Sequence, residues 1–174
     1  MLVHPVVSSR LDYCNSILIN TNKKNIFKLQ KVQIAAARLI LSGKKRQSIS
    51  GTLDELHWLR VDSCIIFKIL LLTYKSITGQ CSKNLELSYK HYKCRPNDYL
   101  MLETKGPRSK YGRRTFEYTA PRLWNVLPLE IRTEGDIVRF KKSVKTLLFK
   151  GTEQFKQRAL KCNWQYLMTS AFVQ

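Results

Sequence analysis

Residues that could perform catalysis are few in this sequence, and they are scattered along its 174 positions. The aspartates never occur as an adjacent pair, and their spacings bring no two of them obviously to one helix face, so a two-metal carboxylate site is not indicated. Phosphate-binding and nucleophile motifs such as GxxxxGKS/T, GxGxxG and GxSxG do not occur. Cysteine and histidine are both present, which leaves a Cys/His dyad open, but we predict no active site. The aspartates are Asp12, Asp54, Asp62, Asp98 and Asp136.

Cysteine and histidine approach the spacing of a metal site in one stretch. Cys81, His91 and Cys94 form the pattern C-x9-H-x2-C, which lacks a fourth ligand and the close pairing of structural zinc sites. The chain has five cysteines, an odd number without any CxxC motif, and it shows no N-terminal signal peptide. These features favour free thiols in a reducing intracellular compartment, either nuclear or cytoplasmic. We therefore expect no metal and no cofactor.

The balance of charged residues is the most informative property of the composition. Lysine and arginine number 31 against 12 aspartates and glutamates, which gives a net charge of +19. Self-repulsion of this size is relieved when a polyanion binds, so nucleic acid is the first candidate partner and an anionic membrane surface the second. Because 44% of the residues are hydrophobic, we expect the chain to fold around a core rather than to remain a disordered polycation.

A helix predicted over residues 23–41 concentrates part of this charge. Four of its cations, and one just beyond it, recur at steps of three, four or seven residues, which places them in one ridge along the helix surface. No acidic residue lies between Lys23 and Arg46, so the ion pairs that usually neutralise a solvated helix face are missing. The ridge therefore favours phosphate binding over a merely solvated face. Its members are Lys24, Lys28, Lys31, Arg38 and Lys45.

An apolar seam on the same helix is expected to face the core, away from the cations. It consists of Leu29, Val32, Ala36 and Leu39. Downstream, a basic loop at 43–50 and a stretch at 80–110 that interleaves tyrosines with cations extend the candidate surface, although an ordinary irregular surface explains the second stretch equally well. The predicted nucleic-acid-binding residues are Lys24, Lys28, Lys31, Arg38, Lys44, Lys45, Arg46, Lys105, Arg108, Lys110, Arg113 and Arg114.

The apolar stretch Val61–Ile77 is the element around which the others are expected to pack. Its hydrophobic residues surround a helix on nearly every side, which is the pattern of a helix buried among neighbours. A membrane span is disfavoured because the stretch is shorter than the roughly 20 residues required and contains Lys68. Asp62 suits its N-terminus, and Gly79 can close its other end. We predict an all-α fold, an irregular helical bundle around this central buried helix, with at most a short β element near 99–118.

Two shorter helices are predicted on the N-terminal side of the central one. An amphipathic helix covers residues 2–19, with an apolar face that repeats at steps of four and three. A capping box formed by Thr52 and Glu55 opens a second short helix, which carries His57 and Trp58. His57 has no helical partner histidine, so we expect a packed or half-exposed side chain rather than a ligand.

Two more helices are predicted on the C-terminal side. The first has Thr119 as its cap, Pro121 in its first turn and Pro128 at its end, and its Trp124 is expected to anchor the core. The second is amphipathic and runs over about 136–149. Its inward residues are Ile137, Phe140, Val144, Leu147 and Leu148, and its outward residues are Arg139, Lys141, Lys142 and Lys145.

Three blocks of sequence follow one another along residues 9–149. The first is SRLDYCNSILIN. The second combines LQKVQIAAARLILSG, LDELHWLRV and FKILLLTYK, and the third is YGRRTFEYTAPRLWNVLPLEIR followed by FKKSVKTLLF. Together they resemble the C-terminal part of the reverse transcriptases of non-LTR (LINE-type) retrotransposons, with the jockey group and its relatives closest. The resemblance covers about residues 2–150, and the tail beyond Gly151 is unmatched.

The resemblance implies a position within a larger enzyme. The segments SRLDYCNS and LQKVQIAAAR resemble the last two helices of a polymerase thumb, and the block that contains WNVLPLEIR belongs to the region after it. The catalytic palm, with its paired aspartates, would lie upstream and is not part of this sequence, so the resemblance implies no catalysis by this chain. The implied domains are a thumb-like helical pair at 1–43, a post-thumb connector at 44–150 and an unassigned tail at 151–174.

The sequence therefore predicts a non-catalytic, nucleic-acid-binding piece of a retrotransposon reverse transcriptase, which grips a template–primer duplex through its phosphates. Two alternatives stay open. In one, the chain is an interaction or scaffold fragment whose apolar seams await the missing palm; in the other, it is a functionless truncated copy. The expected partner is RNA/DNA or DNA duplex, joined in the first alternative by the polymerase palm, and we expect neither a membrane nor a small-molecule substrate.

Overall fold

The computed structural model describes residues 3–19, 21–41, 49–82, 85, 87–90, 99–106, 109, 112 and 115–150. These ranges contain a short 3-10 helix and one isolated antiparallel bridge between Tyr89 and Leu102. The predicted all-α class is therefore confirmed, and the minor β element is this bridge. The helices are α1 (Val3–Asp12), α2 (Lys23–Ile40), α3 (Ile49–Glu55), α4 (Val61–Ile77), α5 (Phe116–Val126), α6 (Leu129–Arg132) and α7 (Ile137–Lys150).

The chain forms two compact units, Met1–Lys68 and Ile69–Gln174, and the division falls inside α4. The predicted domain limits after residues 43 and 150 follow from the resemblance alone, and they stay predictions. Within the described ranges, no helix has the length and apolar character that crossing a membrane requires.

Helix α4 has the predicted bounds and the predicted burial. All 17 of its residues are described, and none of them is exposed. The most deeply enclosed side chains include Ile69 and Leu70, with 2% and 0% of their surface accessible. Even Lys68 is half-buried. A helix that is apolar on nearly all sides excludes most water only when neighbours cover it, so α4 is the central element that its sequence predicts.

The end of α4 is closed by the predicted glycine. Gly79 has φ of +71°, and the backbone N–H of Gln80 donates to the Lys75 carbonyl at 2.8 Å. A second bond runs from the Gly79 N–H to the Ser76 carbonyl at 3.3 Å. This pair of bonds is the Schellman motif, in which a left-handed residue lets the chain satisfy the last helical carbonyls.

The core of the first unit forms where α2 meets α3 and the residues after it. Ala36 and Ala37 of α2 are buried together with Leu53 and Trp58, and they have only 4%, 0%, 2% and 9% of their surface accessible. The small alanines allow a close approach, and the large indole fills the space beside them. Half-buried Val7 of α1 packs against the same cluster.

The single helix predicted over residues 2–19 was wrong. Helix α1 ends at Asp12, Cys14 adopts a left-handed conformation with φ of 48°, and a separate 3-10 helix covers Asn15–Leu18. The change of direction buries Asn15, whose side-chain amide donates to the Asp12 carboxylate at 3.3 Å. It leaves Ile17 75% exposed. The apolar spacing therefore continues through a break that the backbone makes, so it describes two elements rather than one helix.

The start and end predicted for the short third helix were also wrong. Thr52 lies inside α3 rather than before it, and α3 ends at Glu55 instead of carrying His57 and Trp58. His57 takes φ of 51°, and the Trp58 N–H donates to the Leu53 carbonyl at 2.9 Å. This is a second Schellman ending, with histidine in the position that usually holds glycine. It turns the chain so that Trp58 enters the core.

The second unit is centred on an aromatic stack that joins three helices. The Phe140 ring of α7 lies 4.4 Å from the Tyr74 ring of α4 and 5.8 Å from the Trp124 ring of α5, measured between centroids. The Tyr74 hydroxyl donates to the Gly135 carbonyl at 2.7 Å. Of the five predicted inward residues of α7, Phe140, Val144 and Leu148 are buried, whereas Ile137 and Leu147 are half-buried. Aromatic pairs at these separations add to the burial of their surfaces.

Helix α5 begins earlier than predicted. Its N-cap is Thr115, so Thr119 and Pro121 lie inside the helix instead of starting it. An interior proline removes one backbone hydrogen bond, but Tyr118 and Thr119 in the turn before it are buried in the unit, and this packing stabilises the extra turn. The end is as predicted: the residue before Pro128 has an extended conformation, which a following proline favours.

Candidate nucleic-acid interface

The cationic ridge lies on α2, and the start of this helix is determined by its N-cap. The Asn22 side-chain oxygen accepts a hydrogen bond from the Lys24 N–H at 3.0 Å. This bond satisfies one of the backbone amides that the first helical turn leaves unpaired. From there α2 continues for 18 residues, so the predicted helix over 23–41 is confirmed to within one residue.

Four of the predicted binding residues occupy one side of α2. At about 100° per residue, Lys24, Lys28, Lys31 and Arg38 fall within an arc of roughly 80°. The three lysines are exposed, and Arg38 is half-buried. At about 1.5 Å per residue, the four positions extend over roughly 21 Å along the helix axis. The helix thus brings these cations together, while their role in binding stays a prediction.

The buried face of α2 differs from the predicted apolar seam. Val32 and Leu39 are 53% and 68% exposed, whereas Gln30 and Gln33 are only 5% and 7% exposed. Of the four seam residues, Ala36 alone is fully buried. The prediction that the seam faces the core, away from the cations, was therefore wrong for Val32 and Leu39.

Hydrogen bonds explain why α2 buries two glutamines. The Gln33 amide donates to the Leu59 carbonyl at 2.8 Å, and the Gln30 side-chain oxygen accepts from the Val61 N–H at 3.0 Å. The two side chains are also joined to each other, because the Gln30 amide donates to the Gln33 oxygen at 2.8 Å. Buried polar groups are tolerated when they are paired in this way. The network fixes the rotation of α2 and leaves its cationic side facing solvent.

This rotation places apolar side chains among the exposed cations. Phe27 is 57% exposed and lies beside Lys31, whose Nζ atom is 5.0 Å from the centre of the ring. A cation at this distance from an aromatic face is attracted by the ring quadrupole. Val32 and Leu39 border the same arc. The face therefore offers positive charge and apolar surface together.

The other predicted binding residues are distributed differently. Lys105 is exposed and belongs to the second unit, so it is separate from α2 in the division of the chain. The rest lie outside the described residues: Lys44, Lys45, Arg46, Arg108, Lys110, Arg113 and Arg114. Among the described residues, the ridge therefore consists of Lys24, Lys28, Lys31 and Arg38 on α2.

Two tyrosines of the 80–110 stretch lie partly exposed near the backbone bridge. Tyr89, which pairs with Leu102, is 41% exposed, and Tyr99 is 46% exposed. Partial burial raises the pKa of the Tyr89 phenol, and electrostatic interaction with Tyr99 raises it further. Lys90 beside them is exposed, whereas Tyr92 lies outside the described residues. The predicted interleaving of aromatics and cations is therefore present here as one small surface.

Side chains of the third sequence block hold the segment that carries Tyr99. Trp124 donates from its indole nitrogen to the Leu100 carbonyl at 2.9 Å, and Arg132 donates to the Tyr99 carbonyl at 2.7 Å. The Asn125 amide pairs with Leu102 in both directions, accepting from its N–H at 2.8 Å and donating to its carbonyl at 2.9 Å. We call these three side chains the backbone clamp. The tryptophan, asparagine and arginine of WNVLPLEIR thus have a structural role that spacing alone did not reveal.

Candidate metal ligands do not come together in the described part of the chain, where no three His, Cys, Asp or Glu side chains form a group suited to a metal ion. Cys14, Cys64 and Cys81 form no disulfide within the described residues. His91 and Cys94, the other members of the weak C-x9-H-x2-C pattern, lie outside the described residues.

The outward side of α7 is a further cationic surface. Sequence periodicity placed four cations outward but did not assign them to binding: Arg139, Lys141, Lys142 and Lys145. Lys141 is half-buried, and the other three are exposed. The signal that could have identified them is the one used for α2, since α7 also contains no acidic residue.

Comparison with protein-family models finds no match, and neither curated protein sequences nor solved structures yield a similar protein.

Proposed function

We propose that this protein binds the sugar-phosphate backbone of a nucleic-acid duplex through α2 and performs no catalysis of its own. The observation that supports the proposal is the exposed row of Lys24, Lys28 and Lys31 with Arg38, on a helix without acidic residues. Such a row neutralises phosphates without reading bases, which is the contact that a sliding duplex requires. The resemblance to the thumb region of non-LTR reverse transcriptases leads to the same helix, and the proposal takes the duplex to be a template–primer.

The dimensions of the row agree with this ligand. Laid along the duplex axis, its length of roughly 21 Å corresponds to about six phosphates of one strand, at about 3.4 Å of axis per phosphate. Long lysine side chains can follow the strand as it curves, and the exposed Phe27 and Val32 can lie against sugars. Base-specific contacts need groups that enter a groove, and the row presents only cations and apolar side chains. We therefore expect little preference for sequence.

Charge reversal tests the proposal. The triple variant Lys24→Glu, Lys28→Glu and Lys31→Glu should show a flatter dependence of duplex affinity on salt. The logarithm of the affinity falls with the logarithm of the salt concentration, with a slope of about −0.9 for each phosphate that the protein neutralises. Fluorescence anisotropy with RNA/DNA and DNA duplexes measures this slope. A control with the same net charge changes exposed residues outside the candidate surfaces: Arg10→Glu, Arg60→Glu, Tyr13→Glu and Gln80→Glu.

Three outcomes would count against duplex binding through α2. An unchanged slope in the α2 variant, or an equal loss in the control, would reject the ridge. Polyglutamate that competes as effectively as duplex would reduce the binding to generic polycation behaviour and support the functionless alternative.

A second candidate function rests on the apolar residues of the same face. Phe27, Val32 and Leu39 are more than half exposed, which is unusual for three large side chains on one helix. We propose as the alternative that they are covered by a protein partner, the polymerase palm that the resemblance implies. In that case the purified chain should self-associate in size-exclusion chromatography, and Phe27→Ser with Leu39→Ser should restore a monomer. A monomeric wild-type chain at high concentration would argue against this alternative.

A further inference from the structure

Helix α7 presents a second row of exposed cations, in the unit that does not contain α2. Arg139, Lys142 and Lys145 recur every three residues and are all exposed. At about 100° per residue they occupy an arc of roughly 120°, and at about 1.5 Å per residue they extend over roughly 9 Å. The row is therefore shorter and broader than the one on α2.

The charges on α7 are all of one sign. Its 14 residues contain no aspartate or glutamate, and like charges stand three apart at Arg139 and Lys142, and again at Lys142 and Lys145. The half-buried Lys141 adds a pair four apart with Lys145. Such pairs are unfavourable on an isolated helix. A bound polyanion would relieve them, because it supplies the negative charge that the helix lacks.

The inward side of α7 packs into the second unit. Phe140, Val144 and Leu148 have 1%, 0% and 1% of their surface accessible, and the Phe140 ring stacks on Tyr74 and Trp124. An amphipathic helix that binds a membrane inserts its apolar side into the lipid. On α7 that side lies inside the core of the second unit, and the outward side carries only two exposed apolar side chains, Val138 and Phe149, with 67% and 36% of their surface accessible. Two such side chains do not make an apolar side that inserts into lipid, so binding on this side depends on charge. Charge complementarity with a rigid row of this kind favours a nucleic-acid strand over a bilayer.

The N-terminus of α7 does not contribute free amides to such a ligand. The Asp136 carboxylate accepts hydrogen bonds from the N–H groups of Val138 and Arg139 at 3.1 and 3.2 Å. Its charge also compensates the positive end of the helix. Binding on this helix must therefore come from the side chains of the outward row.

We propose that the outward face of α7, formed by Arg139, Lys142 and Lys145, is a second binding site for the phosphates of a nucleic-acid backbone. It rests on the proposed function for the class of its ligand but on none of the same residues. Laid along the duplex axis, a length of roughly 9 Å corresponds to about three phosphates of one strand. The site is independent of base sequence, as the α2 ridge is, and each unit of the protein then carries its own phosphate-binding surface.

Three variants of equal net charge separate this site from α2. They are Arg139→Glu with Lys142→Glu and Lys145→Glu, the α2 triple variant, and the control that changes Arg10, Arg60, Tyr13 and Gln80 to glutamate. Duplex affinity is measured with the full chain at about 50 and 200 mM salt. Loss of three phosphate contacts should reduce the ratio of the two affinities by up to about 40-fold. We expect this reduction in the α7 variant and not in the control.

Failure of the α7 site and failure of the α2 ridge give different results in this experiment. A normal salt dependence in the α7 variant overturns the second site even if the α2 variant is impaired. Conversely, an impaired α7 variant beside an unaffected α2 variant supports the second site and rejects the α2 ridge. If glutamates at these positions alter the circular dichroism spectrum, the Gln versions of the same three substitutions provide the measurement.

Lysine acetylation gives a direct readout of where the ligand lies. Duplex should lower the acetylation of the exposed Lys142 and Lys145 relative to the same chain without duplex, as quantified by mass spectrometry. Equal reactivity with and without duplex would overturn the site. Vesicles of anionic phospholipid serve as the competing probe, and protection by vesicles without protection by duplex would overturn the choice of nucleic acid.

Discussion

Buried polar side chains determine several local features of this protein. Gln30 and Gln33 connect α2 to the turn before α4, and the Tyr74 hydroxyl connects α4 to the Gly135 carbonyl. Burying any of these groups without a hydrogen-bond partner would destabilise the folded protein. Because their partners are backbone groups far away in sequence, the side chains specify a rotation or a position more sharply than apolar contacts do.

Tyr74 should make the stability of the protein sensitive to alkaline pH. Burial raises the pKa of its phenol above the ordinary value of 10.0, and Asp136 and Glu134 raise it further. The unfolded chain therefore loses this proton first as pH rises through about 10, so the stabilising contribution is present below that pH and is lost as pH rises toward the folded pKa.

The variant Tyr74→Phe isolates this effect. At neutral pH it should be less stable by about 1 kcal/mol, because the hydrogen bond to Gly135 is lost. Between about pH 9 and pH 11 it should lose less stability than the wild type, as measured by urea unfolding. Tyr13→Phe is the control, since this tyrosine is 80% exposed. Parallel pH curves for Tyr74→Phe and the wild type would show that Tyr74 is not the responsible group.

Helix endings and the backbone clamp determine how the secondary elements are positioned. Two helices, α3 and α4, end in Schellman motifs, at His57 and Gly79 respectively. The clamp holds segment 99–102, in which Leu100 has φ of 56°. These devices operate at element ends, so they determine where a helix stops and where the next segment goes.

The two Schellman endings predict substitutions of opposite sign. Gly79→Ala should destabilise the protein by about 1 kcal/mol, because alanine pays for a left-handed conformation although its Cβ would meet no atom within 4 Å. His57→Gly should stabilise it by a similar amount, since glycine adopts this conformation without strain. Chemical unfolding measures both, with Gly106→Ala as the control for a glycine whose Cβ would also meet open space. Effects of the same sign at 57 and 79 would contradict the argument.

The clamp should be needed for the Tyr89–Leu102 bridge. Asn125→Leu preserves the approximate volume of the side chain but leaves the Leu102 N–H and carbonyl without their partner, which should cost about 1–3 kcal/mol. Amide hydrogen exchange at Leu102, Lys90 and Glu103 should accelerate. The matched variant Trp124→Phe keeps most of the packing and should cost less than Trp124→Ala, for which we expect about 3–5 kcal/mol. Unchanged exchange at Leu102 in Asn125→Leu would show that the bridge does not depend on the clamp.

The whole molecule combines a helical core with a net charge of +19. Cations that repel one another on α2 and α7 make the folded chain sensitive to its ionic surroundings. Salt should therefore act in two directions, because it screens this repulsion within the protein and also weakens attraction to a polyanion. The two effects are measured on the same chain.

Sodium chloride should stabilise the fold while weakening duplex binding. Raising its concentration from about 0.1 M to about 1 M shortens the Debye length from about 10 Å to about 3 Å. Relief of roughly five like-charge pairs on the two helices should then raise the free energy of unfolding by about 1–2 kcal/mol. The triple variants on α2 and α7 should gain less. A stability that falls with salt, or a gain that an uncharged osmolyte reproduces, would contradict the electrostatic account.

The sequence by itself determined the helical class, the bounds of α4 and the inward face of α7. In each case the apolar pattern lies within one short segment of the chain, and it predicts which face is buried whatever the neighbouring segments are. It also determined the presence of the α2 cations on one side of a helix, because that depends on helix geometry alone.

Only the tertiary structure decided which side of α2 is buried, where α1 breaks and what the clamp side chains hold. Glutamines are counted as surface residues in a pattern, yet Gln30 and Gln33 are buried because Leu59 and Val61 supply their partners. Likewise, Asn125 and Leu102 are 23 residues apart, so no periodicity connects them. Hydrogen bonds between segments distant in the chain depend on packing that a local pattern does not contain, and this is the physical reason for each difference.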